Sequence, residues 1–326
     1  MKRLSALTAV VVAALALTAC GTTEDPNGDK NSGGDPITVT DARGEKVTLD
    51  GPAKKVGGTE WNVIEHLVSL GVQPTAVSDV EGFNTWDSAV TLDPKATDIG
   101  TRGEPNLDTL LDLELDVLFV TDSLVDGAIE QIEKHTPVIV VPGGDSSDPI
   151  GQMWKNIDLV AKATGTEDKA AELKTAFDEK LAATAEAVAA SEYADASVAF
   201  SDSYNTGEAI VVRAFTGGSL IGGVFAELGF ANAWDTIDSL EGDTAYGLAP
   251  TDVEGLTKLP EDTIYWYIGG AGEPDVYTED LADNPIWTGL PFVENDDVHR
   301  FPDKIWMFGG SASMTQLLDA VTAAIA

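Results

Sequence analysis

The stretch that most constrains this chain is Asp98-Ile-Gly-Thr-Arg-Gly-Glu-Pro-Asn-Leu-Asp-Thr-Leu-Leu-Asp-Leu-Glu-Leu-Asp-Val-Leu-Phe-Val120. It reads as a glycine-rich loop, a short helix and a buried strand in succession. Pro105 ends the loop, and Asn106 is a plausible N-cap for a helix whose Leu107, Leu110, Leu111 and Leu113 lie largely on one side. Residues 117–120 form an unbroken apolar run, as expected for a strand covered on both faces. Thr121-Asp122-Ser123 then sits at the carboxyl end of the strand, where open α/β sheets bind ligands. Arg102, one of five arginines, lies on the loop of a strongly acidic chain and is a candidate ligand contact.

The alternation continues on either side. Segments 37–41 and 46–49 alternate with period two around Arg43-Gly44, predicting a hairpin. Strands are expected near 55–58 and 75–77, with a helix over 62–70 that Gly71 ends. After the central unit, a helix over 127–134 precedes a buried strand over 138–141. Strands alternating with helices imply a parallel, right-handed β/α sheet. A helix over 148–163 is closed by Gly165. A longer one starts at Thr166, with Glu167 and Asp168 in the first turn, where the helix dipole favours acids. Its Leu173, Phe177, Leu181 and Val188 share a stripe. Unbroken to Ser191 it would span about 37 Å, enough to bridge two lobes. A second pattern follows, with strands over 197–200, 209–212, 263–268 and 298–301 and helices over 220–228 and 313–325. The expected fold class is α/β, with two β/α lobes joined by a long interdomain α-helix.

The formal charge of −36 excludes nucleic acid as a partner, because phosphate binding needs a basic surface. It suits a well-solvated exported protein. The single cysteine bears on compartment. Met1-Lys-Arg is a basic leader, residues 4–17 are apolar but too short for a comfortable membrane span, and Leu17-Thr-Ala-Cys20 has the form of a lipobox. An ordinary secretory signal cut after Ala19 would leave that cysteine an accident. The expectation is a bacterial lipoprotein, diacylated on Cys20 and held on the extracytoplasmic face of the cell membrane. The corresponding division is 1–20 signal and lipobox, 21–36 flexible tether, 37–150 first lobe, 151–193 connecting helices and 194–326 second lobe.

Enzymatic patterns do not complete themselves. Thr216-Gly-Gly-Ser-Leu-Ile-Gly-Gly223 opens a helix but lacks the Gly-Lys-Ser/Thr ending of a phosphate loop and the dinucleotide spacing. Gly309-Gly-Ser-Ala-Ser313 resembles a nucleophile elbow with Ser313 in place of its last glycine. His66, His135 and His299 are scattered without ligand spacing, and the first two read as surface or helix-end residues. No catalytic residue and no metal site is expected. Trp61, Phe83, Trp86, Phe215, Tyr246, Trp266, Tyr267, Trp287 and Trp306 mostly fall at strand ends or in the following loops, as do Arg102 and Arg213, with Arg300 near Trp306 in sequence. Trp154 and Trp234 read as core. Together the loop residues favour an apolar cleft with a few charged donors, the form of a small-molecule site. Glu60 and Thr101, beside Trp61 and Arg102, belong to the same candidate set.

Lipobox, tether, β/α lobe, long helix and second lobe resemble the class III substrate-binding proteins of ABC importers, over nearly all of residues 37–326. Within that family the chain is most similar to the iron-siderophore-binding lipoproteins. The segments that carry the likeness are 56–65 (VGGTEWNVIE), 71–77 (GVQPTAV), 81–86 (EGFNTW), 98–107 (DIGTRGEPNL), 213–217 (RAFTG) and 283–287 (DNPIW). The resemblance implies a monomeric, non-catalytic receptor. It captures a ferric siderophore, hydroxamate or citrate-hydroxamate by preference, and passes it to an ABC permease and its ATPase. It implies no cofactor, since iron travels inside the ligand, and the missing histidine cluster argues against free metal as cargo. A cobalamin or haem receptor is the alternative on the same fold, with a surface-anchored enzyme as a third class. The family's permease-docking glutamate in the first lobe falls on Asp108, with Glu104 nearby. Its counterpart in the second falls near Gly223, one turn before Glu227.

Overall fold

Of the 326 residues, the computed structural model describes 35–122 and 126–326, with no side-chain detail for Asp126. Cys20, its lipobox and nearly all of the tether lie outside them, as does Ser123. The described chain opens with the expected antiparallel hairpin, β1 (Ile37–Thr40) and β2 (Lys46–Leu49). Buried Asp41 accepts hydrogen bonds from the Arg43 and Glu45 backbone in the turn and from the Val140 amide, which clips the hairpin to the first sheet.

That sheet is built from β3 (Val56–Gly58), α1 (Trp61–Ser69), β4 (Ala76–Val77), α2 (Val80–Trp86), β5 (Thr97–Asp98), α3 (Leu107–Asp112), β6 (Val117–Thr121), α4 (Asp126–Ile132) and β7 (Val138–Val141). The strand order is β5-β4-β3-β6-β7 and every pairing is parallel. Every residue of β6 and β7 is buried, which is why both read as continuous apolar runs. Asn106 caps α3 by accepting from the Thr109 amide at 3.0 Å. Gly100 takes φ +94, a left-handed value that turns the loop back so that Asn106 N–H reaches Ile99 O at 2.6 Å.

Two helices follow. Asp148 caps α5 (Pro149–Thr164), and Gly165 ends it in the left-handed conformation. The expected long helix is α6 (Glu167–Ala190), 24 residues. The second sheet then takes β8 (Ser197–Asn205), β9 (Ile210–Phe215), α7 (Leu220–Glu227), β10 (Ala231–Asn232), β11 (Leu248–Thr251), β12 (Ile264–Ile268), α8 (Pro285–Thr288), α9 (Pro291–Glu294), β13 (Val298–Arg300) and the closing α10 (Ser311–Ala324). Its order is β11-β9-β8-β12-β13, with β10 also on β8. Unlike the first sheet it is mixed, because β9 runs antiparallel to both β8 and β11.

Helix α5 touches the layers of both sheets, packed on α1 and β1 and also on α7. The longer α6 lies mainly on α5 and α10. Of its expected stripe, Phe177 and Val188 are buried, while Leu173 and Leu181 are half-buried. One apolar core runs from Val56 and Phe119 of the first sheet, through Trp154 and Phe177, to Phe200 and Trp266 of the second. No described helix is long and apolar enough to cross a membrane.

Candidate functional site: an aromatic cleft with an arginine at each end

A cavity of about 490 Å³ opens between the carboxyl-end loops of the first sheet and the β9–β11 edge of the second. One wall starts where β3 enters α1. Glu60 is the N-cap residue of α1 but makes no capping bond with its side chain. Its Oε2 instead accepts from Arg102 Nη1 at 3.3 Å. The Arg102 guanidinium lies over Trp61, 4.1 Å from the ring centroid, and 5.7 Å from Trp306. Burial raises the Glu60 carboxyl above its ordinary pKa, against the opposing pull of Arg102. Asn62, Trp86 and Gly103 complete this wall.

The other wall is Arg213 on β9, with Tyr246 and Leu248. Arg213 stands directly opposite Asp202 in the β8–β9 register. Its Nε donates to Asp202 Oδ1 at 2.7 Å while Nη2 donates to Oδ2, a forked, charge-assisted contact. Asp202 is only 4 % exposed. Burial raises its carboxyl pKa, and Arg213 opposes that rise. The Arg213 guanidinium also sits 5.6 Å from the Phe308 ring. Burial first, and nearby carboxylates including Glu60, push the Tyr246 hydroxyl up to about 12, so it stays a neutral donor and acceptor.

Between the walls runs the segment after β13. Trp306 meets Trp61 edge-on at 4.8 Å, Trp86 at 6.2 Å and Phe308 at 5.0 Å, and Phe308 meets Tyr246 at 5.5 Å. The result is a chain of rings across the cleft with an arginine stacked at each end. Gly309 leads out of it because a Cβ there would lie 2.2 Å from the Glu65 carboxylate. That carboxylate accepts from the backbone N and Oγ of Ser313 and so caps α10 from α1. Ser313 is thus a buried anchor, and the elbow-like sequence around it is a helix start.

Of the expected residues, the fold brings Glu60, Trp61, Trp86, Arg102, Arg213, Tyr246 and Trp306 together around the cavity. Five others lie elsewhere. Phe83, Trp266 and Trp287 are core residues, at most 5 % exposed. Phe215 is buried beneath the cleft against Phe308 and borders a separate cavity of about 40 Å³. Thr101 is exposed, and its hydroxyl closes the loop on Glu104 O. Tyr267 and Arg300 both engage Asp275 away from the cleft, and Asp122 binds the Gly143 amide. Sequence reasoning missed Asn62, Gly103, Leu248, Met307 and Phe308. The last two could have been flagged by 305–308 (IWMF), an apolar run too short for an element and followed by two glycines. His66 lies in the last turn of α1, the helix end expected of it, but is buried rather than on the surface, and burial holds its imidazole neutral, down to about 3. Glu104, Asp108 and Glu227 are all exposed. Among the described residues no group of three or more His, Cys, Asp or Glu could hold a metal ion.

A two-sheet α/β protein with an open, aromatic, arginine-ended cleft between its sheets has the architecture of the class III periplasmic binding proteins. Residues 58–305 match the family model for periplasmic binding proteins, and the chain belongs to that family. It is similar to the Fe(3+)-citrate-binding protein YfmC of Bacillus subtilis, 24% identical over 94% of this chain and 91% of that one. It is also similar to the iron(3+)-hydroxamate-binding protein FhuD of Escherichia coli, 22% identical over 83% and 86%. Among solved structures, the Fe3+-Desferal-bound FhuD of Vibrio cholerae superposes with a TM-score of 0.69, at 21% identity over 83% of this chain and 97% of that one. The petrobactin-binding protein YclQ of Bacillus subtilis gives 0.71, at 19% identity over 90% and 99%. These likenesses establish the fold.

Proposed function

We propose that the chain is an extracytoplasmic receptor that binds a ferric siderophore in this cleft and delivers it to an ABC permease for iron uptake. Hydroxamate or citrate-hydroxamate chelates are the favoured cargo. The observation that carries the reading is the placement of Arg102 and Arg213 at opposite ends of one aromatic cavity. A ferric chelate presents metal-bound oxygens that accept from guanidinium N–H groups, at about 1.5–3 kcal/mol per charged hydrogen bond. Its apolar linkers lie against Trp61, Trp86 and Trp306. The protein supplies donors and rings, the ligand supplies the iron, and no catalytic step is required. One relative named for ferric citrate binding and another named for ferric hydroxamate binding support a ferric chelate as the cargo. Each sheet with its helices acts as one lobe, Cys20 carries the lipid anchor, and Glu104, Asp108 and Glu227 are available on the surface for docking. Tryptophan quenching against a panel of ferric siderophores, haem and cobalamin tests the assignment. Saturable quenching by a ferric siderophore is expected, with the ligand recovered unchanged. Preferential binding of haem or cobalamin would replace the cargo while keeping the receptor.

A further inference from the structure

Resting on the siderophore reading, we infer that Glu60 and Asp202 set the charge selectivity of the cleft, so that it takes an electrically neutral ferric trihydroxamate in preference to anionic citrate or catecholate chelates. Among the described residues lining the cavity, the basic side chains are Arg102 and Arg213, with no lysine or histidine beside them. Each already faces a carboxylate. Glu60 lines the cavity itself and holds Arg102. Asp202 lies behind Arg213 and takes two of its N–H groups. The cleft therefore offers directed N–H donors with no net positive charge.

Ligand chemistry turns that balance into a choice. Three hydroxamates cancel the charge of ferric iron, whereas three catecholates leave a trianion and citrate-based chelates stay anionic through a further carboxylate or alkoxide. A neutral chelate can accept from both guanidinium groups while disturbing neither pair. An anionic one brings charge into a site where the arginines are already compensated and Glu60 repels it. The chain's −36 charge adds repulsion at a distance, but salt screens it within about 8–10 Å, so the two local acids dominate. Arg102 is the adjustable member, because Glu60 is its single hydrogen-bond partner among the described residues.

The full-length protein is titrated by tryptophan quenching with a cyclic ferric trihydroxamate, a ferric citrate-dihydroxamate and a ferric tricatecholate. Wild type is expected to bind the neutral chelate at least about tenfold more tightly than either anion. Glu60→Gln, which keeps the shape but frees the charge of Arg102, should narrow that ratio by about tenfold at low salt. Asp202→Asn should narrow it in the same direction and guards against a fault peculiar to one variant. Raising salt on wild type needs no variant, and should leave the neutral chelate unaffected while improving binding of the anions. An anionic chelate that binds as tightly as the neutral one, or whose binding weakens with salt, would overturn the charge inference and leave the siderophore receptor standing. An unchanged ratio in both variants would overturn the assignment to Glu60 and Asp202. No binding of any of the three would end both readings.

Discussion

The two cleft arginines look alike in sequence and are held very differently. Arg213 is gripped by a fork from Asp202, its cross-strand partner, on a strand bonded on both sides. Arg102 rides on a loop, with one 3.3 Å bond to Glu60 and a ring beneath it. The first is a fixed donor whose removal strands a buried charge. The second can re-aim toward a ligand at small cost. Affinity and stability should therefore separate at one end of the cleft and move together at the other.

The largest effect is expected where both ends meet. Trp306 contacts Trp61, Trp86, Phe308 and Arg102 and is nearly buried. Trp306→Ala should cost about 3–5 kcal/mol in urea unfolding and abolish measurable chelate binding. A variant with normal stability would show that the ring chain is not a shared support.

Arg213→Ala comes next, at about 3 kcal/mol of stability, because Asp202 is left buried and uncompensated. Its affinity for the best chelate should also fall. The pair replacement Arg213→Met with Asp202→Leu should recover most of the stability but not the affinity, a result read by unfolding and titration side by side.

Arg102→Ala should weaken chelate binding by about ten- to a hundredfold while changing stability by no more than about 1 kcal/mol. Arg43→Ala is the control. Arg43 pairs with Asp41 and Glu133 on the hairpin side, away from the cavity, so titration should show unaltered affinity. Equal affinities in the Arg102→Ala and Arg43→Ala proteins would remove Arg102 from the site.

The last prediction is a pH slope from two buried groups, Asp87 and His66. Burial, reinforced by the neighbouring Glu65 carboxylate, raises Asp87 to about 8. Asp87 Oδ2 is buried without a hydrogen-bond partner, a setting that favours the neutral acid. The folded chain thus holds a proton that the unfolded chain releases near pH 4, so this group destabilises the fold as pH rises from about 4 to 8. His66, kept neutral by burial, acts in the opposite sense below about 6.5, because the unfolded chain takes up the proton first. The two slopes offset each other between about pH 4 and 6.5 and leave a net fall in stability between about 6.5 and 8. Asp87→Asn should flatten that fall in thermal unfolding at a series of pH values, without altering the Arg213 side.

Features written in short stretches were legible beforehand. Asn106 as a cap, Gly165 as a stop and the apolar runs of β6 and β7 act through neighbouring backbone and need no distant partner. The α5–α6 helices and the hairpin were readable for the same reason. What was missed is short or broken. The two-residue β5 and β10 carry no periodicity, and Pro250 interrupts β11, as an edge strand allows. Trp266 and Trp306 show why the site was only half visible. Both lie in aromatic, apolar surroundings, but every residue of β12 from Tyr265 to Ile268 is buried, so alternation could not say which rings face a ligand.

By itself, then, the amino-acid order determined an α/β chain with two successive patterns, a helical connection and a few arginines placed after glycines or strands. It did so because caps, turns and buried strands are local decisions of a few residues. Tertiary structure alone decided which carboxylate meets which arginine. The register of β8 against β9 sets Asp202 opposite Arg213, and the fold of the first-sheet loops sets Glu60, 42 positions away in sequence, against Arg102. Charge balance in a cleft depends on those long-range pairings, and no reading of neighbouring residues contains them.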